Sequence, residues 1–429
     1  MPKHLNIWWV SHYASTPDQQ YTAQFDLAKK LVEKGHRVTF FAAGFSHYKF
    51  QELRLKHGET WREEECEGVK FVWIRTWPYR ANNWRRAYNM LSFAWRAYWV
   101  ASRKRADAPD LIIGTTFHPL SSLSGYFLSI AKGTPFVFEV RDLWPLTMVE
   151  FGRFSRFNPL ALVLAALEKF LARRASRIMT TLPRAADYYV ELGITREKIV
   201  WIPNGLDLSR YSDLKAYEGN LHDPCVLLYA GGHVSANALD TIIRAAKIQQ
   251  DRNNSVKFLF VGGGQEKTKL IRLATELNLK NIEFRDVVPK RELRHIMEQA
   301  DAFILSMRNL PRLYRYGMSF NKLCDYVSSG RPVLFAGNPG ANVVEEFQCG
   351  IVVSPEDPVA FAAAIEEFTS MSVERRVEMG RNGIRCARER FDIAAIGGRL
   401  EAMLISLMRD APLTDEAEAV GKLSGLKAS

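Results

Sequence analysis

The sequence predicts an α/β protein made of two tandem doubly wound domains that face each other across a cleft. Short apolar runs alternate with helical patterns, which indicates parallel strands joined by helices. The alternation restarts after a polar, turn-rich segment, and the length of 429 residues also favours at least two domains. Because ligands bind at the carboxyl ends of parallel strands in such sheets, we expect the functional site in the cleft.

In the N-terminal half, the first strand is LNIWWVS and the second is HRVTFFAA, with a helix predicted over residues 16–35 between them. Thr16 suits the N-cap of that helix, Pro17 its first position and Gln19 the partner position of a capping box. Gly35 is expected to end the helix. Three more strands follow, in the order DLIIGTT, PFVFEVR and RIMTTL.

In the C-terminal half, the series of strands and helices begins again. Its strands are CVLLYAGG, VKFLFVGGG, IEFRDVV, DAFILSM, RPVLFAG and CGIVVS, and its helices are NALDTIIRAAKIQQ, EKTKLIRLATELN, KRELRHIMEQA and FNKLCDYVSSG. We therefore assign residues 1–205 to an N-terminal domain, 206–395 to a C-terminal domain, and 396–429 to a C-terminal helix with a frayed tail. The polar segment 204–223 is the predicted linker.

Composition narrows the classes of protein and of partner. Hydrophobic residues make up 47% of the chain and charged residues 24%, as in an ordinary folded domain, and no apolar run is long enough to span a bilayer. The N-terminus is typical of a strand and not of a signal peptide. The five cysteines form no CxxC pair, so we expect no metal site and no disulfide framework, in a reducing cytosol. The net charge of +11 is compatible with an anionic membrane, a nucleic acid or a phosphorylated substrate, or simply with a solvated basic surface.

Residues 75–105 form a basic aromatic segment, with eight basic residues, eight aromatic residues and no acidic residue. Read as a helix, the segment places one row of large apolar side chains beside a row of arginines: Trp84, Tyr88, Leu91, Trp95 and Trp99, with Arg85, Arg96 and Arg103. Such a face suits a bilayer interface with anionic headgroups. The alternatives are a core-facing helix with a basic rim and a surface for single-stranded nucleic acid. Because no nucleic-acid-binding motif accompanies the segment, we favour membrane contact.

Two predicted strands end in glycine-rich turns that open helices. Gly231 and Gly232 follow one strand, and Gly263 lies in the GGG that follows the next. Glycine lets the backbone approach a ligand closely, and a helix N-terminus favours an anion. Lys267, in the first turn of the following helix, is a candidate phosphate ligand or, alternatively, a solvated lysine. The turn lacks the GK[ST] ending of a P-loop, and the lone His233 is expected at the surface.

Charged residues at strand ends provide candidates in the N-terminal domain. Arg141 and Asp142 directly follow PFVFEV, and His118 follows the strand DLIIGTT. Because strand carboxyl ends face the predicted cleft, these side chains are positioned to meet a ligand. The alternative is an Arg141–Asp142 pair that only closes the strand end.

Taken together, segments along nearly the whole chain resemble glycosyltransferase family 4, whose members are retaining enzymes with the GT-B fold. The resemblance rests on LAKKLVEKGHRVT, FEVRDLWP, KIVWIPNGLDLSRY, LLYAGG, FLFVGGGQEKTKL, EFRDVVPKREL, KLCDYVSSGRPVL and EFQCGIVVSPEDPVAFAAAI, in that order. It implies the GT-B architecture of two Rossmann-like doubly wound domains. The RDLWP and NKL.DY forms are similar to those of the branch that builds bacterial surface polysaccharides, including O-antigen and capsule.

The resemblance implies transfer of a sugar, with retention, from a nucleotide sugar to a polyprenyl-diphosphate-linked or other glycan acceptor. UDP is the expected nucleotide, and neither a metal nor a cofactor is expected, since the nucleotide sugar is a substrate. The N-terminal domain would bind the acceptor and the C-terminal domain the donor. The expected location is peripheral, on the cytoplasmic face of the plasma membrane. Its expected partners are therefore the nucleotide sugar, the lipid-linked glycan acceptor and the anionic membrane surface, with no nucleic acid.

The resemblance assigns site residues unevenly. Asp325 takes the second position of the family's pair of acids and is expected to bind the ribose hydroxyls, whereas the first position falls at Gly317. Lys322 is expected at the diphosphate. The remaining donor contacts are expected from Asn321, Ser319, Lys267, Gly231, Gly232 and Gly263, and from the backbone near Val287 for the base. The family's cleft histidine corresponds to Arg141 or Asp142, which with His118 are the candidate catalytic residues.

Two other functions fit parts of the pattern. A non-catalytic GT-B subunit would explain the missing first acid at Gly317. A GT-B sugar-nucleotide epimerase would use the same donor domain, but it has no need of the basic aromatic segment. The sequence therefore favours the transferase.

Overall fold

The computed structural model describes residues 4–18, 22–47, 49–80, 84–104 and 107–409. The chain divides into two compact units, one made of residues 1–204 with 393–429 and the other of residues 205–392. The boundary therefore falls at the start of the predicted linker, and the C-terminal helix belongs to the first unit. The tail that was predicted to fray, residues 410–429, lies outside the described residues.

The first unit is built on an eight-stranded sheet with the order β10-β9-β8-β7-β1-β2-β6-β5, parallel except for β5 against β6. A separate two-stranded ribbon pairs β3 with β4. The strands are β1 (Asn6–Val10), β2 (Arg37–Ala43), β3 (Phe45–Ser46), β4 (Gln51–Glu52), β5 (Trp61–Cys66), β6 (Val69–Ile74), β7 (Leu111–Thr115), β8 (Phe136–Val140), β9 (Arg177–Thr180) and β10 (Ile199–Trp201). The predicted parallel strands of this half are all present, whereas the β5–β6 hairpin was not predicted.

Helices cover both faces of this sheet. They are α1 (Ala23–Glu33), α2 (Trp84–Arg103), α3 (Pro119–Lys132), α4 (Leu146–Glu150), α5 (Pro159–Arg174), α6 (Ala185–Glu191) and, from the chain end, α15 (Ile393–Arg409). Alternate residues of β1 point to opposite faces, so Trp9 packs in the core under α1 and α15, and Trp8 packs in the core under α2 and α3.

The predicted start of the first helix is wrong. α1 begins at Ala23, and its N-cap is Thr22, whose hydroxyl accepts a hydrogen bond from the backbone N–H of Phe25. Thr16 is held elsewhere, because its hydroxyl accepts a hydrogen bond from the guanidinium of Arg54. The predicted capping residue Gln19 lies outside the described residues.

The second unit is an all-parallel six-stranded sheet with the order β13-β12-β11-β14-β15-β16. Its strands are β11 (Cys225–Ala230), β12 (Val256–Val261), β13 (Ile282–Arg285), β14 (Ala302–Ser306), β15 (Val333–Ala336) and β16 (Gly350–Val353). Its helices are α7 (Leu239–Asp251), α8 (Lys267–Glu276), α9 (Lys290–Met297), α10 (Pro311–Tyr314), α11 (Asn321–Ser328), α12 (Val343–Glu346), α13 (Pro358–Ser370) and α14 (Val373–Cys386). The strand order reverses between β11 and β14, which is where doubly wound sheets bind ligands.

Helix α2 turns small and aromatic residues inward and tryptophans outward. Phe93 and Ala97 are buried in the core, whereas Trp84, Trp95 and Trp99 are exposed. The alternative of an aromatic row that faces the core is therefore wrong. Among the described residues, we find no helix whose length and hydropathy would suit it to cross a bilayer.

Candidate functional site

In the second unit, the two glycine turns interlock at the carboxyl ends of β11 and β12. The backbone N–H of His233 donates to the carbonyl of Gly263 at 2.8 Å. A Cβ on Gly262 would lie 2.0 Å from the carbonyl oxygen of Gly231, and one on Gly264 would lie 2.3 Å from that of His233. Packing of one turn against the other therefore explains the glycines at 262 and 264 without a ligand.

Lys322, near the start of α11, lies directly against the first glycine turn. Its Nζ donates a hydrogen bond to the hydroxyl oxygen of Tyr229 at 2.9 Å. A Cβ on Gly231 would lie 3.1 Å from Cε of Lys322, so glycine leaves room for the lysine. The Tyr229 hydroxyl also accepts from Asn237 and donates to the carbonyl of Gly232, which fixes its position.

The electrostatics of Lys322 suit an anion. Burial lowers the pKa of its ammonium to about 7. Within the described parts of the chain, no carboxylate forms an ion pair with Lys322, whose neighbours are the Tyr229 hydroxyl and the rings of Tyr229 and Phe320. An anionic group beside this turn would therefore meet a cation that the protein has not already neutralised.

Lys267 does not share this arrangement. Its ammonium donates to the carbonyls of Gly262 at 3.0 Å and Arg285 at 2.8 Å, and to the carboxylate of Asp286 at 2.6 Å. Because an ammonium has three donors, all of them are used within the protein. Lys267 thus ties the ends of β12 and β13 together, and the structure gives it a role other than the expected contact with phosphate.

Asp325, on the same helix as Lys322, has a partner that the sequence did not indicate. The hydroxyl of Tyr211 donates a hydrogen bond to Oδ1 of Asp325. Tyr211 ends a 3-10 turn, Leu208–Tyr211, at the start of the second unit. Burial and the neighbouring Asp325 carboxylate both raise the pKa of the Tyr211 hydroxyl, so the tyrosine stays a neutral donor. Asp325 is half-buried and is oriented by this contact.

The remaining donor candidates lie near the same strand ends. Asn321 opens α11 and is exposed, and Ser319 lies two residues before it in the preceding loop. Val287 is exposed in the loop after β13, and its side chain lies against Gly263. Gly317, where the family has its first acid, adopts φ +88° after α10. A side chain is strained in that left-handed conformation, which accounts for the glycine.

His233 is not at the surface, contrary to the expectation. It is fully buried among the rings of Tyr229, Phe260 and Phe284. Burial first, and then the nearby Lys267 and Lys322, lower its pKa to about 4. The histidine is therefore neutral at physiological pH, and it belongs to the aromatic packing beneath the glycine turns.

In the first unit, Arg141 is bound by neighbours on both sides. Its guanidinium donates to Glu139 Oε1 at 3.1 Å and to Asn204 Oδ1 at 2.7 Å, and it lies over the ring of Phe117. Glu139 is buried, so its charge is compensated by this ion pair. Arg141 therefore forms its ion pair with Glu139. Desolvation raises the pKa of the neighbouring Asp142 carboxyl, and Arg141 lies close enough to lower that pKa in part.

His118 is buried at the N-terminus of α3. Its Nδ1 accepts a hydrogen bond from the backbone N–H of Ser121 at 3.3 Å, and its Nε2 lies 2.6 Å from Nδ1 of His12. Burial and the nearby Arg86 lower its pKa to about 3. A neutral His118 that accepts at Nδ1 carries its proton on Nε2, so it donates to His12. The pair links the ends of β1 and β7.

Several contacts in both units were invisible to sequence reasoning. Glu139 accepts hydrogen bonds from the side chains of Trp9, Gln24 and Thr115 as well as from Arg141. Trp9, Gln24 and Thr115 lie far from Glu139 in sequence, as Tyr229 does from Lys322 and Tyr211 from Asp325, so no local spacing reveals these contacts. Among the described residues, no cluster of three or more histidine, cysteine or acidic side chains could hold a metal ion.

Two family models match the chain, one in each half. Residues 21–205 match the glycosyl transferase 4-like domain, and residues 224–370 match the glycosyl transferases group 1 domain. WcaI of Escherichia coli (strain K12), a glycosyl transferase whose name assigns it to colanic acid biosynthesis, is 22% identical over 298 residues, which is 67% of this chain and 72% of that protein. The D-inositol 3-phosphate glycosyltransferase of Nocardia farcinica is 27% identical over 214 residues, which is 46% of each chain.

Solved structures with the same fold include the sucrose-phosphate synthase of Thermosynechococcus elongatus, with a TM-score of 0.74 and 17% identity over 95% of this chain and all of that one. HepE of Anabaena, solved in complex with UDP and glucose, has a TM-score of 0.67 and 16% identity over 94% of this chain and 100% of that one. WaaG, a glycosyltransferase involved in lipopolysaccharide biosynthesis, has a TM-score of 0.63 and 16% identity over 93% and 99% of the two chains. With matched domains in both halves and these neighbours in fold, the chain belongs to the glycosyltransferases of the GT-B fold, with a glycosyl transferase 4-like domain followed by a group 1 domain.

Proposed function

We propose that this glycosyltransferase moves a sugar from a UDP-sugar, with retention, to a polyprenyl-diphosphate-linked glycan. The reaction would serve the assembly of a bacterial surface polysaccharide, such as O-antigen or capsule, at the cytoplasmic face of the plasma membrane. The names of two relatives support this direction, since WcaI is named for colanic acid biosynthesis and WaaG for lipopolysaccharide biosynthesis. The UDP bound to HepE supports UDP as the nucleotide.

The position of Lys322 carries the proposal. When the bond between the anomeric carbon and the diphosphate breaks, negative charge grows on the departing diphosphate. A cation that is already fixed in place stabilises that charge without reorganisation. Lys322 is held against the Gly231 turn by Tyr229, and among the described residues it pairs with no carboxylate. We infer that it meets this charge and that no resident metal or cofactor is needed.

The other donor roles follow from neighbours of Lys322. Asp325, oriented by Tyr211, would accept hydrogen bonds from the ribose hydroxyls. The backbone N–H groups from Ser319 to Asn321, at the start of α11, would add donors for the diphosphate. The loop at Val287 and Gly263 would hold the base. Lys267 is left out of this site, because its ammonium is used by carbonyls and Asp286.

In the first unit, we propose that Asp142, which follows β8 beside Arg141, contacts the acceptor. The guanidinium of Arg141 is held in place by Glu139 and Asn204, and it would position the neighbouring Asp142. His118 is buried and hydrogen-bonded to His12, so we expect it to hold the ends of β1 and β7 in place without touching the acceptor. Arg141 and His118 thus become positioning residues, in place of the catalytic roles that the resemblance implied.

Helix α2 supports the membrane location. Trp84, Trp95 and Trp99 are exposed, and Arg103 stacks on Trp99 with its guanidinium carbon 3.5 Å from the ring centroid. Exposed tryptophans beside arginines suit the interfacial region of an anionic bilayer. A lipid-linked acceptor is presented at that surface, so docking there would bring the enzyme to its substrate.

Nucleotide release tests the transfer directly. The protein is incubated with a panel of UDP-sugars and a polyprenyl-diphosphate-linked sugar, and free UDP and the glycolipid are quantified. We expect Lys322→Met to reduce turnover by roughly 10²- to 10³-fold, as for loss of a transition-state charge partner. Lys269→Met is the matched control, because Lys269 is an exposed lysine of α8 in the same unit. The anomeric configuration of the product, read by NMR, tests retention.

The same assay separates the alternative functions. If UDP binds but no donor is consumed with any acceptor, the chain is a non-catalytic subunit. If the sugar is isomerised without an acceptor, the chain is an epimerase. Asp325→Ala should weaken UDP binding at least about tenfold, as expected for loss of a charged hydrogen-bond acceptor. Unchanged UDP affinity in that variant would remove Asp325 from the donor site.

A further inference from the structure

Three helices of the first unit lie side by side over one face of its sheet. Phe93 of α2 and Leu128 of α3 share one core cluster with Trp8 of β1. Lys132, at the end of α3, donates hydrogen bonds to two carbonyls at the end of α2. On the other side of α3, the ring of Tyr126 meets the ring of Phe170 of α5 edge-on at 5.2 Å. The three helices therefore form one continuous layer, which we call the outer helical face.

Apart from Arg173 and Arg174 at the end of α5, the side chains that α3 and α5 expose most are apolar. On α3, Phe127 is 50% exposed and Ile130 is 59% exposed. On α5, Leu160, Leu162 and Val163 are each at least half exposed. Soluble surface helices normally place such residues toward the core and polar residues outside. A contiguous exposed apolar layer of this kind marks a surface that meets another apolar phase or partner.

The pattern of α5 is inverted, because its only acidic residue points inward. Glu168 is buried and accepts hydrogen bonds from the hydroxyls of Tyr188 at 2.6 Å and Tyr189 at 3.1 Å. The acid is thus removed from the surface, while Leu162 and Val163 are placed on it. Helices α2 and α3 contain no aspartate or glutamate in their sequences. The outer helical face therefore presents no carboxylate from these three helices.

Four arginines on or next to α2 and α5 each stack on an exposed aromatic ring. The pairs, with the distance from guanidinium carbon to ring centroid, are Arg103–Trp99 at 3.5 Å, Arg156–Phe157 at 4.6 Å, Arg85–Trp84 at 5.5 Å and Arg174–Phe170 at 5.7 Å. An aromatic ring at the boundary of an acyl layer with a cation beside it at headgroup level is the arrangement that interfacial side chains adopt. These arginines are thus complementary in charge to anionic headgroups.

We propose that α2, α3 and α5 together form one docking face for the surface of an anionic bilayer, with the aliphatic side of α5 inserted at the acyl boundary. This proposal rests on the proposed function in one respect: docking would give the enzyme access to a lipid-linked acceptor. The site extends well beyond the basic aromatic segment, since α3 and α5 lie outside residues 75–105. Tryptophans of α2 supply the headgroup-level contacts, and leucine and valine of α5 supply the apolar burial.

Co-sedimentation with vesicles tests the contribution of α5. The vesicles contain phosphatidylcholine and phosphatidylglycerol in equal amounts, and pure phosphatidylcholine vesicles serve as the uncharged reference. The α5 variant is Leu160→Ser/Leu162→Ser/Val163→Ser, in which only exposed side chains change. We expect its vesicle affinity to fall at least about tenfold, because each removed side chain loses burial in the acyl region. The matched control is Ile271→Ser/Val359→Ser/Val373→Ser, three exposed apolar residues of the second unit, which should bind vesicles as the wild type does.

A second variant and two further measurements keep the outcomes distinct. Phe127→Ser/Ile130→Ser tests the same face from α3 if the α5 variant does not fold, and thermal unfolding verifies the fold of each variant. If the α5 and α3 variants bind vesicles as tightly as the wild type does, and Trp95→Ser/Trp99→Ser loses vesicle affinity, the three-helix docking face is overturned. Docking would then occur through α2 alone. If the α5 or α3 variant has a lower oligomeric mass by light scattering but unchanged vesicle affinity, the membrane-docking proposal is overturned, and the face is an interface between proteins. Sugar transfer to a water-soluble acceptor by these variants shows that the proposed reaction stands independently of either result.

Discussion

At the scale of single residues, the titration of Lys322 connects the donor site to pH. Burial holds the pKa of its free ammonium at about 7. A bound diphosphate favours the charged form and raises that pKa, so binding takes up a proton at any pH between the two values. The affinity for UDP should therefore fall as the pH rises above about 7, by up to roughly tenfold per pH unit.

Isothermal titration calorimetry of UDP in buffers of different ionisation enthalpy measures this proton uptake. We expect uptake that approaches one proton at a pH about one unit above the free pKa of Lys322. Lys322→Met should bind more weakly and show no such uptake, whereas Lys269→Met should behave as the wild type does. Equal uptake in wild type and Lys322→Met would mean that another group titrates.

Glu168 gives the second prediction at this scale, on stability. Burial raises the pKa of its carboxyl to about 8, against a value of 4.5 in the unfolded chain. Between these values the folded state keeps a proton that the unfolded state has released, so the free energy of unfolding decreases as the pH rises. Relative to Glu168→Gln, the wild type should lose up to about 1.4 kcal/mol per pH unit across this window. Urea denaturation between about pH 5 and pH 8 checks this, and parallel curves for the two proteins would contradict it.

At the scale of elements, the strands were predictable and some helix positions were not. Strands of parallel sheets are buried on both faces, so runs such as LNIWWVS identify them without tertiary information. The start of α1 was misplaced because Arg54, more than thirty residues away, engages Thr16 and Asp18. The β5–β6 hairpin turns at Glu67 and Gly68, both with positive φ, and it was missed because glutamate is not typical of the first position of such a turn.

In the candidate site, too, some residues could be predicted from the sequence and their contacts could not. A glycine turn after a strand and a lysine at a helix start are local patterns, so Gly231 and Lys322 could be proposed from the sequence alone. Their contact with each other, and the use of Lys267 by Asp286, depend on how separate βα units pack. For the same reason, the buried position of Glu168 and the outward apolar side of α5 became visible only with the fold.

Helix α15 is the element whose position was least predictable, since it follows the second unit in sequence and packs in the first. Leu400 is fully buried there, in one cluster with Trp9 and Phe25. Leu400→Ala should lower the free energy of unfolding of the first unit by about 2–5 kcal/mol, because it leaves a cavity. Leu407→Ala, at a half-buried position of the same helix, should cost less. Hydrogen exchange resolved by peptide measures each unit separately, and an equal loss in the second unit would contradict this assignment.

At the scale of the whole molecule, net charge and apolar surface should contribute separately to vesicle binding. The chain carries a formal net charge of +11, and long-range attraction to anionic lipid is screened once the Debye length shrinks from about 10 Å at 0.1 M salt to about 3 Å at 1 M. Burial of apolar side chains is not screened in this way. Raising the salt concentration should therefore weaken binding to phosphatidylglycerol-containing vesicles without abolishing it.

The α5 variant makes this separation measurable. At low salt it keeps the charge of the wild type, so part of its vesicle binding should remain. At high salt the attraction between charges is screened, and the substitutions have already removed the apolar contribution of α5. Vesicle binding of the α5 variant should therefore fall to background, while the wild type retains a measurable fraction. Co-sedimentation across a salt series compares the two proteins, with Ile271→Ser/Val359→Ser/Val373→Ser as the control that should follow the wild type. If high salt removes wild-type binding completely, attraction between charges accounts for docking, and insertion of α5 has no part in it.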